Sequence, residues 1–150
     1  MPNYCNNNLK VSGSLKDITD FYENNMIDND AEQRQTSKNL TFGYVVPEPK
    51  FDNKEDEEKY KKAGWYEWRI ENWGTKWDAI TDYVDYKPEN SELNISFETA
   101  WTPPIKWLEK AQIRYPKLKF YLSYYEDGLM FKGVAKTIKS NIVNKVKEIQ

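Results

Sequence analysis

The sequence predicts an α+β domain in which an antiparallel sheet carries helices on one face. Leu93, Ile95, Phe97 and Thr99 alternate with polar residues in 92–99, as do Leu118, Phe120, Leu122 and Tyr124 in 118–125. That period of two marks strands with one buried face. Two other segments repeat apolar residues at helical spacing behind a capping residue. The 150 residues suit one domain, and aromatic residues at 15% supply a core despite 31% charged residues.

In chain order, residues 7–13 alternate Leu9 and Val11 against Lys10 and Ser12 and read as a strand that Gly13 ends. Ser14 caps a helix over 15–26, with Asp17 in its first turn and Ile18, Phe21 and Tyr22 on its apolar face. Residues 28–39 are polar and patternless, a loop. Residues 40–46 are apolar and β-prone, and Pro47 and Pro49 stop any ladder there. An acidic cluster, Glu55, Asp56, Glu57 and Glu58, precedes Lys59, Lys61 and Lys62, the charge order of a solvated helix. Four tryptophans follow within 65–77.

Residues 79–86 and 92–99 are strands joined by a turn at KPENS. Thr102 fits a helix N-cap and Pro103 the first helical position. Ile105, Leu108, Ala111 and Ile113 continue that helix over 103–114 until Pro116. Asp127-Gly128 signals a hairpin between 118–125 and a return strand at 129–134. The tail places Ile138, Ile142, Val143, Val146 and Ile149 on one helical face, with Lys136, Lys139, Lys145 and Lys147 elsewhere. The resulting order is β-α-β-β-α-β, a split βαβ plan of the ferredoxin-like type. It is one domain over 1–150, with a long insertion at about 28–78 and an added C-terminal strand and helix. The core is expected to include Leu93, Ile95, Phe97, Trp101, Phe120 and Leu122.

Four short motifs, MPNYCNN at the start, ENWGTKWD at 71–78, FETAWTPP at 97–104 and YYEDGLMFKG at 124–133, resemble the YubB-like and Api92-like ferredoxin-domain proteins of phages and plasmids. They stand in the same order over nearly the whole chain. The resemblance implies the ferredoxin-like fold and a mobile-element origin. It implies no enzyme and transfers no catalytic residue.

Composition narrows the chemistry. There is no histidine and one cysteine, Cys5. Histidine-based triads, ordinary zinc sites and an intrachain disulfide are therefore excluded. The sequence lacks GxGxxG and GxxxxGK[ST], and the acids Asp52, Asp56 and Glu58 with Asn53 lack the spacing and glycine of a calcium loop. No metal and no cofactor is expected. Asp82 and Asp85, expected on opposite faces of a strand, form no acid pair there. Glu67 and Glu71 share a helix face that reads as solvated surface. The N-terminus lacks the marks of a signal peptide and no apolar run is long enough to span a bilayer, which predicts a cytoplasmic protein.

Charge is divided along the chain. Residues 1–100 hold 12 basic and 20 acidic side chains, and residues 101–150 hold 10 basic and 4 acidic. The expected function is that of a non-enzymatic accessory protein binding a host protein, most concretely a counter-defence inhibitor of the anti-CRISPR type. Its acidic, aromatic-anchored surface would imitate nucleic-acid phosphates toward a basic cleft of a defence effector. The candidate partner surface is Glu55, Asp56, Glu57, Glu58, Trp65, Trp68, Arg69, Trp73, Lys76 and Trp77. The alternative is a single-stranded nucleic-acid binder using tryptophan stacking and lysine contacts. The tryptophans also read, and more readily, as a structural plug that folds over the sheet, with Trp73-Gly74 as a tight corner and Trp101 beneath it.

Overall fold

The computed structural model describes residues 3–28 and 38–148. Strand β1 (Tyr4–Ser12) leads to α1 (Leu15–Asn25), whose N-cap Ser14 accepts a hydrogen bond from the Asp17 amide. After the insertion come β4 (Ile80–Lys87), β5 (Glu92–Ala100), α4 (Ile105–Arg114), β6 (Lys119–Glu126), β7 (Phe131–Ile138) and β8 (Asn141–Glu148). The six strands form one sheet in the order β4-β5-β1-β6-β7-β8, every pair antiparallel. The first four positions are the ferredoxin-like core, and β7 and β8 extend it at the β6 edge.

One face of the sheet is dry. Cys5, Asn7, Leu9 and Val11 of β1, Leu93, Ile95, Phe97 and Thr99 of β5, and Phe120, Leu122 and Tyr124 of β6 point toward the helices and are buried. From above, α1 contributes Ile18 and Phe21, and α4 contributes Trp107, Leu108 and Ala111. Burial of these apolar surfaces dominates the stability. Asn7 is buried without penalty because its amide donates to the Cys5 carbonyl (3.1 Å), the Phe97 carbonyl (3.3 Å) and Thr99 Oγ1 (2.9 Å). The other face, carrying Lys10, Asn94, Ser96, Tyr121 and Tyr125, is open.

Three expectations are corrected. The tail is a strand, not a helix: Lys139 and Ser140, both at positive φ (50° and 66°), make a two-residue turn from β7 into β8. The β-branched Ile142, Val143 and Val146 satisfy a period of two as well as a helical one, and the ladder with β7 decides between them. Ile149 lies outside the described residues. Trp101 is 37% exposed. The chain reverses there with Trp101 at φ 69°, its amide donating to the Asn3 carbonyl, so the ring turns outward. Trp73 and Trp107 fill the core instead. Thr102 does not cap α4; its hydroxyl donates to the Gly74 carbonyl, and the helix begins after Pro104 without a side-chain cap.

The insertion also differs in part. Strand β3 (Lys38–Leu40) pairs with β2 (Met26–Asp28), and 41–46 then turns instead of extending as a strand. Most of the expected loop at 28–39 falls outside the described residues. Beyond Asn53 come α2 (Lys54–Lys59), a π-helical turn (Tyr60–Gly64) and α3 (Trp65–Asn72). Strand β4 carries a bulge between Thr81 and Tyr83. The extra residue, Asp82, breaks the simple alternation that placed Asp82 and Asp85 on opposite faces. Asp82 lies near enough to Glu98 to help raise that carboxyl's pKa, after burial.

Candidate binding cleft in the insertion

The insertion is fastened to the sheet at its base. Asp78 accepts hydrogen bonds from the Phe42 amide (2.8 Å), the Ala79 amide (2.8 Å) and the Thr41 hydroxyl (2.9 Å). Burial pushes its carboxyl above the usual range, and these three donors oppose that shift. Phe42, fixed in this way, packs against Trp73, Phe97 and Trp107 at centroid distances of 5.7, 6.2 and 5.0 Å. Trp73 is buried, and its indole donates to the Val46 carbonyl (2.9 Å). Gly74 then turns at φ 85°, with backbone atoms of Ile105 and Lys106 where a Cβ would sit. The expected tight corner is present, and α4 rather than Trp101 lies behind it.

Above this base, α3 and the segment at 48–51 wall a cleft of about 490 Å³. Glu48 is its centre. Arg69 donates to both Glu48 oxygens, with Nη2–Oε1 at 3.0 Å and Nε–Oε2 at 3.3 Å, and Tyr60 donates its hydroxyl to Oε2. Burial, with the Glu48 hydrogen bond and charge, pushes the Tyr60 phenol up to about 12, so it stays a donor. The Arg69 guanidinium lies 5.1 Å from the Trp65 ring centre and 5.3 Å from that of Trp73. The Lys76 ammonium lies 5.8, 5.5 and 5.3 Å from Trp65, Tyr66 and Trp77. Phe51 packs on Tyr60. The walls are therefore aromatic and the floor is an ion pair held by a rigid fork.

Helix α2 forms one rim. Asn53 caps it by accepting from the Asp56 amide (2.9 Å), and no residue of α2 is buried. Glu55, Asp56, Glu57 and Glu58 are all exposed. Lys59 meets Glu55 at 3.5 Å and Lys61 meets Glu57 at 3.1 Å. Exposed pairs of this spacing contribute only ~0.3–0.5 kcal/mol each, so they hold these side chains only weakly. The π-helical turn between α2 and α3 is a feature often found at functional sites.

Of the residues expected at a partner surface, Glu57, Trp65, Arg69 and Trp77 line this one cleft. Lys76 bridges its aromatic wall. Glu55, Asp56 and Glu58 stand on the rim helix without lining the cleft. Trp68 packs edge-on against Trp73 at 5.6 Å, and neither ring lines the cleft. Glu48, Phe51 and Tyr60 escaped the sequence reading. The one local signal for Glu48 is its position between Pro47 and Pro49, which marks a fixed backbone but no chemistry. Among the described residues no helix is long and apolar enough to cross a membrane, and no group of three acids or cysteines is placed to hold a metal.

A family model described as the ferredoxin-like domain in Api92-like protein matches residues 72–148, half of the chain. The match covers β4 to β8 and leaves α2 and most of α3 outside it. The crystal structure of the protein Api92 from Yersinia pseudotuberculosis resembles this chain with a TM-score of 0.55 at 8% identity, covering 100% of this chain and 99% of that one. That likeness concerns the fold alone. No curated protein matches the chain.

Proposed function

This chain belongs to the Api92-like family of ferredoxin-like domains, and we propose that it is a non-enzymatic accessory protein of phages or other mobile elements that binds a host protein. The partner is a nucleic-acid-binding defence effector in the host cytoplasm, and the effect is inhibition of the anti-CRISPR type. One observation carries this reading: an acidic helix that buries nothing stands beside a cleft walled by Tyr60, Trp65 and Trp77 and floored by Glu48–Arg69. Tryptophan, tyrosine and arginine are the residues that dominate interface energies when set in a pocket. Exposed carboxylates beside them favour a basic surface of the kind that binds phosphates. The aromatic groups supply affinity, and the acids supply steering. Single-strand binding by tryptophan stacking is the weaker reading, because Trp73 is buried and the rings of Trp65 and Trp77 already carry Arg69 and Lys76.

The test compares proteins captured from host cells by the tagged wild-type chain, by a variant with Glu55, Asp56, Glu57 and Glu58 changed to Lys, and by Trp65→Ala/Trp77→Ala. The reading expects a basic protein captured by the wild type and lost with both variants. It also expects the charge-reversed variant to associate more slowly at low salt and to differ little at high salt. Equal capture by folded versions of all three would reject the cleft as the binding surface.

A further inference from the structure

We infer that the open face of the sheet, over β6, β7 and β8, is a second binding surface whose ligand is single-stranded nucleic acid. The site is on the opposite side of the sheet from the helices and does not depend on the cleft. The register decides which side chains share it. Tyr121 of β6 sits between Lys10 of β1 and Lys136 of β7, and Tyr125 sits between Asn6 and Lys132. Farther out, Lys132 pairs with Lys147, and Val134 with Lys145. Tyr121 and Tyr125 are 45% and 43% exposed, and they point the same way from one strand about 13 Å apart. Ser123 and Asn8 lie between them as a polar floor. A groove of about 560 Å³ runs past Tyr125, Lys132, Val134, Lys145 and Lys147.

Three features select the ligand. First, charge is sorted across the face. On the β4–β5 side Asp85 and Glu92 are ion-paired with Lys87 and Lys10, with Glu98 beside them, while Lys119, Lys132, Lys136, Lys145 and Lys147 lie together on the β6–β8 side. Among the described residues none of these five lysines is in an ion pair. Second, Lys132 and Lys147 are cross-strand partners, and like charges directly opposite each other destabilise a sheet unless a polyanion lies over them. Third, the tyrosine rings offer stacking faces spaced along one strand, which suits unpaired bases and not the closed stack of a duplex. No arginine stands on these strands to read base edges, so recognition is tolerant of sequence. The phosphates follow the lysines of β7 and β8, and bases stack on Tyr121 and Tyr125.

The experiment is fluorescence anisotropy with labelled dT20, rU20 and a 20-base-pair duplex. The proteins are the wild type, Tyr121→Ala, Tyr125→Ala, Lys132→Glu/Lys145→Glu/Lys147→Glu, and Lys106→Glu/Lys110→Glu on the exposed face of α4 as a charge control. The wild type should bind a single strand. With about four phosphates neutralised, affinity should fall about 50-fold between 50 and 200 mM salt. Each tyrosine variant should weaken binding about tenfold. The triple lysine variant should flatten the salt dependence, and the control should bind like the wild type. Binding of either strand supports the site, and the dT20 to rU20 ratio reports the sugar preferred. Failure of both strands to bind at 50 mM salt would overturn the inference. So would equal binding of the duplex, or tyrosine variants with unchanged melting temperature and undiminished binding.

Discussion

Replacing Asp78 by Ala should cost about 3 kcal/mol, and the figure can be built from its contacts. The carboxylate is the acceptor for the Phe42 and Ala79 amides, each at 2.8 Å, and for the Thr41 hydroxyl. The hydroxyl can rotate to another acceptor, but the two amides cannot move. An orphaned donor in a part-buried site costs ~1–3 kcal/mol, which gives ~2–6 kcal/mol for two. Removing the carboxylate also relieves the burial that raises its pKa, which places the net in the lower half of that range. In a chain of this size a loss of about 3 kcal/mol lowers the melting temperature by roughly 6–12 °C. Asp78→Asn keeps one acceptor oxygen and should cost ~1 kcal/mol. Urea unfolding followed by tryptophan fluorescence measures both variants. A loss under 1 kcal/mol for Asp78→Ala would show that the base of the insertion is not held by this carboxylate.

Phe120→Ala removes a fully buried ring that meets Phe21 at 5.7 Å and should cost ~3–5 kcal/mol. Trp101→Gly should change stability by less than ~1 kcal/mol, because the ring is exposed and glycine relaxes the φ of 69°; urea midpoints separate the two cases. Burial pushes the Cys5 thiol from 9.0 to about 12. The folded state therefore holds its proton more tightly, and the stability this contributes, fully present below pH 9, is lost as pH rises from 9 toward 12. A thiol reagent at pH 8 should label Cys5 only as fast as the chain opens, and rapid labelling of the native protein would contradict its burial.

The alternations at 92–99 and 118–125 were legible because each strand buries one face only, and the sheet confirms both. The helix at 103–114 was legible from its apolar spacing, although Pro104 rather than Thr102 precedes its first residue. The tail was misread because Ile142, Val143 and Val146 satisfy two periods, and only the long-range ladder to β7 chooses one. That choice has a chemical consequence: Lys145 and Lys147, set on a solvated helix by the sequence, join Lys132 on the open face of the sheet. In the cleft, Trp65, Arg69 and Trp77 were legible because they crowd one stretch of sequence. Glu48 was not, since it is 21 residues from Arg69 and gains its role only when the chain folds back. Trp101 was lost to a backbone reversal that no local pattern announces.

The central claim is that the insertion cleft is the surface that meets a host protein. Photo-crosslinking in host cells tests it most directly. A photoreactive residue is placed at Tyr66, exposed next to the cleft-lining Trp65 and beside Lys76, and in a second chain at Ile113, 74% exposed on α4. The account predicts a discrete adduct with a basic host protein from position 66, abolished when Glu55, Asp56, Glu57 and Glu58 become Lys, and none from position 113. The same adducts from both positions, or none from position 66, would contradict it.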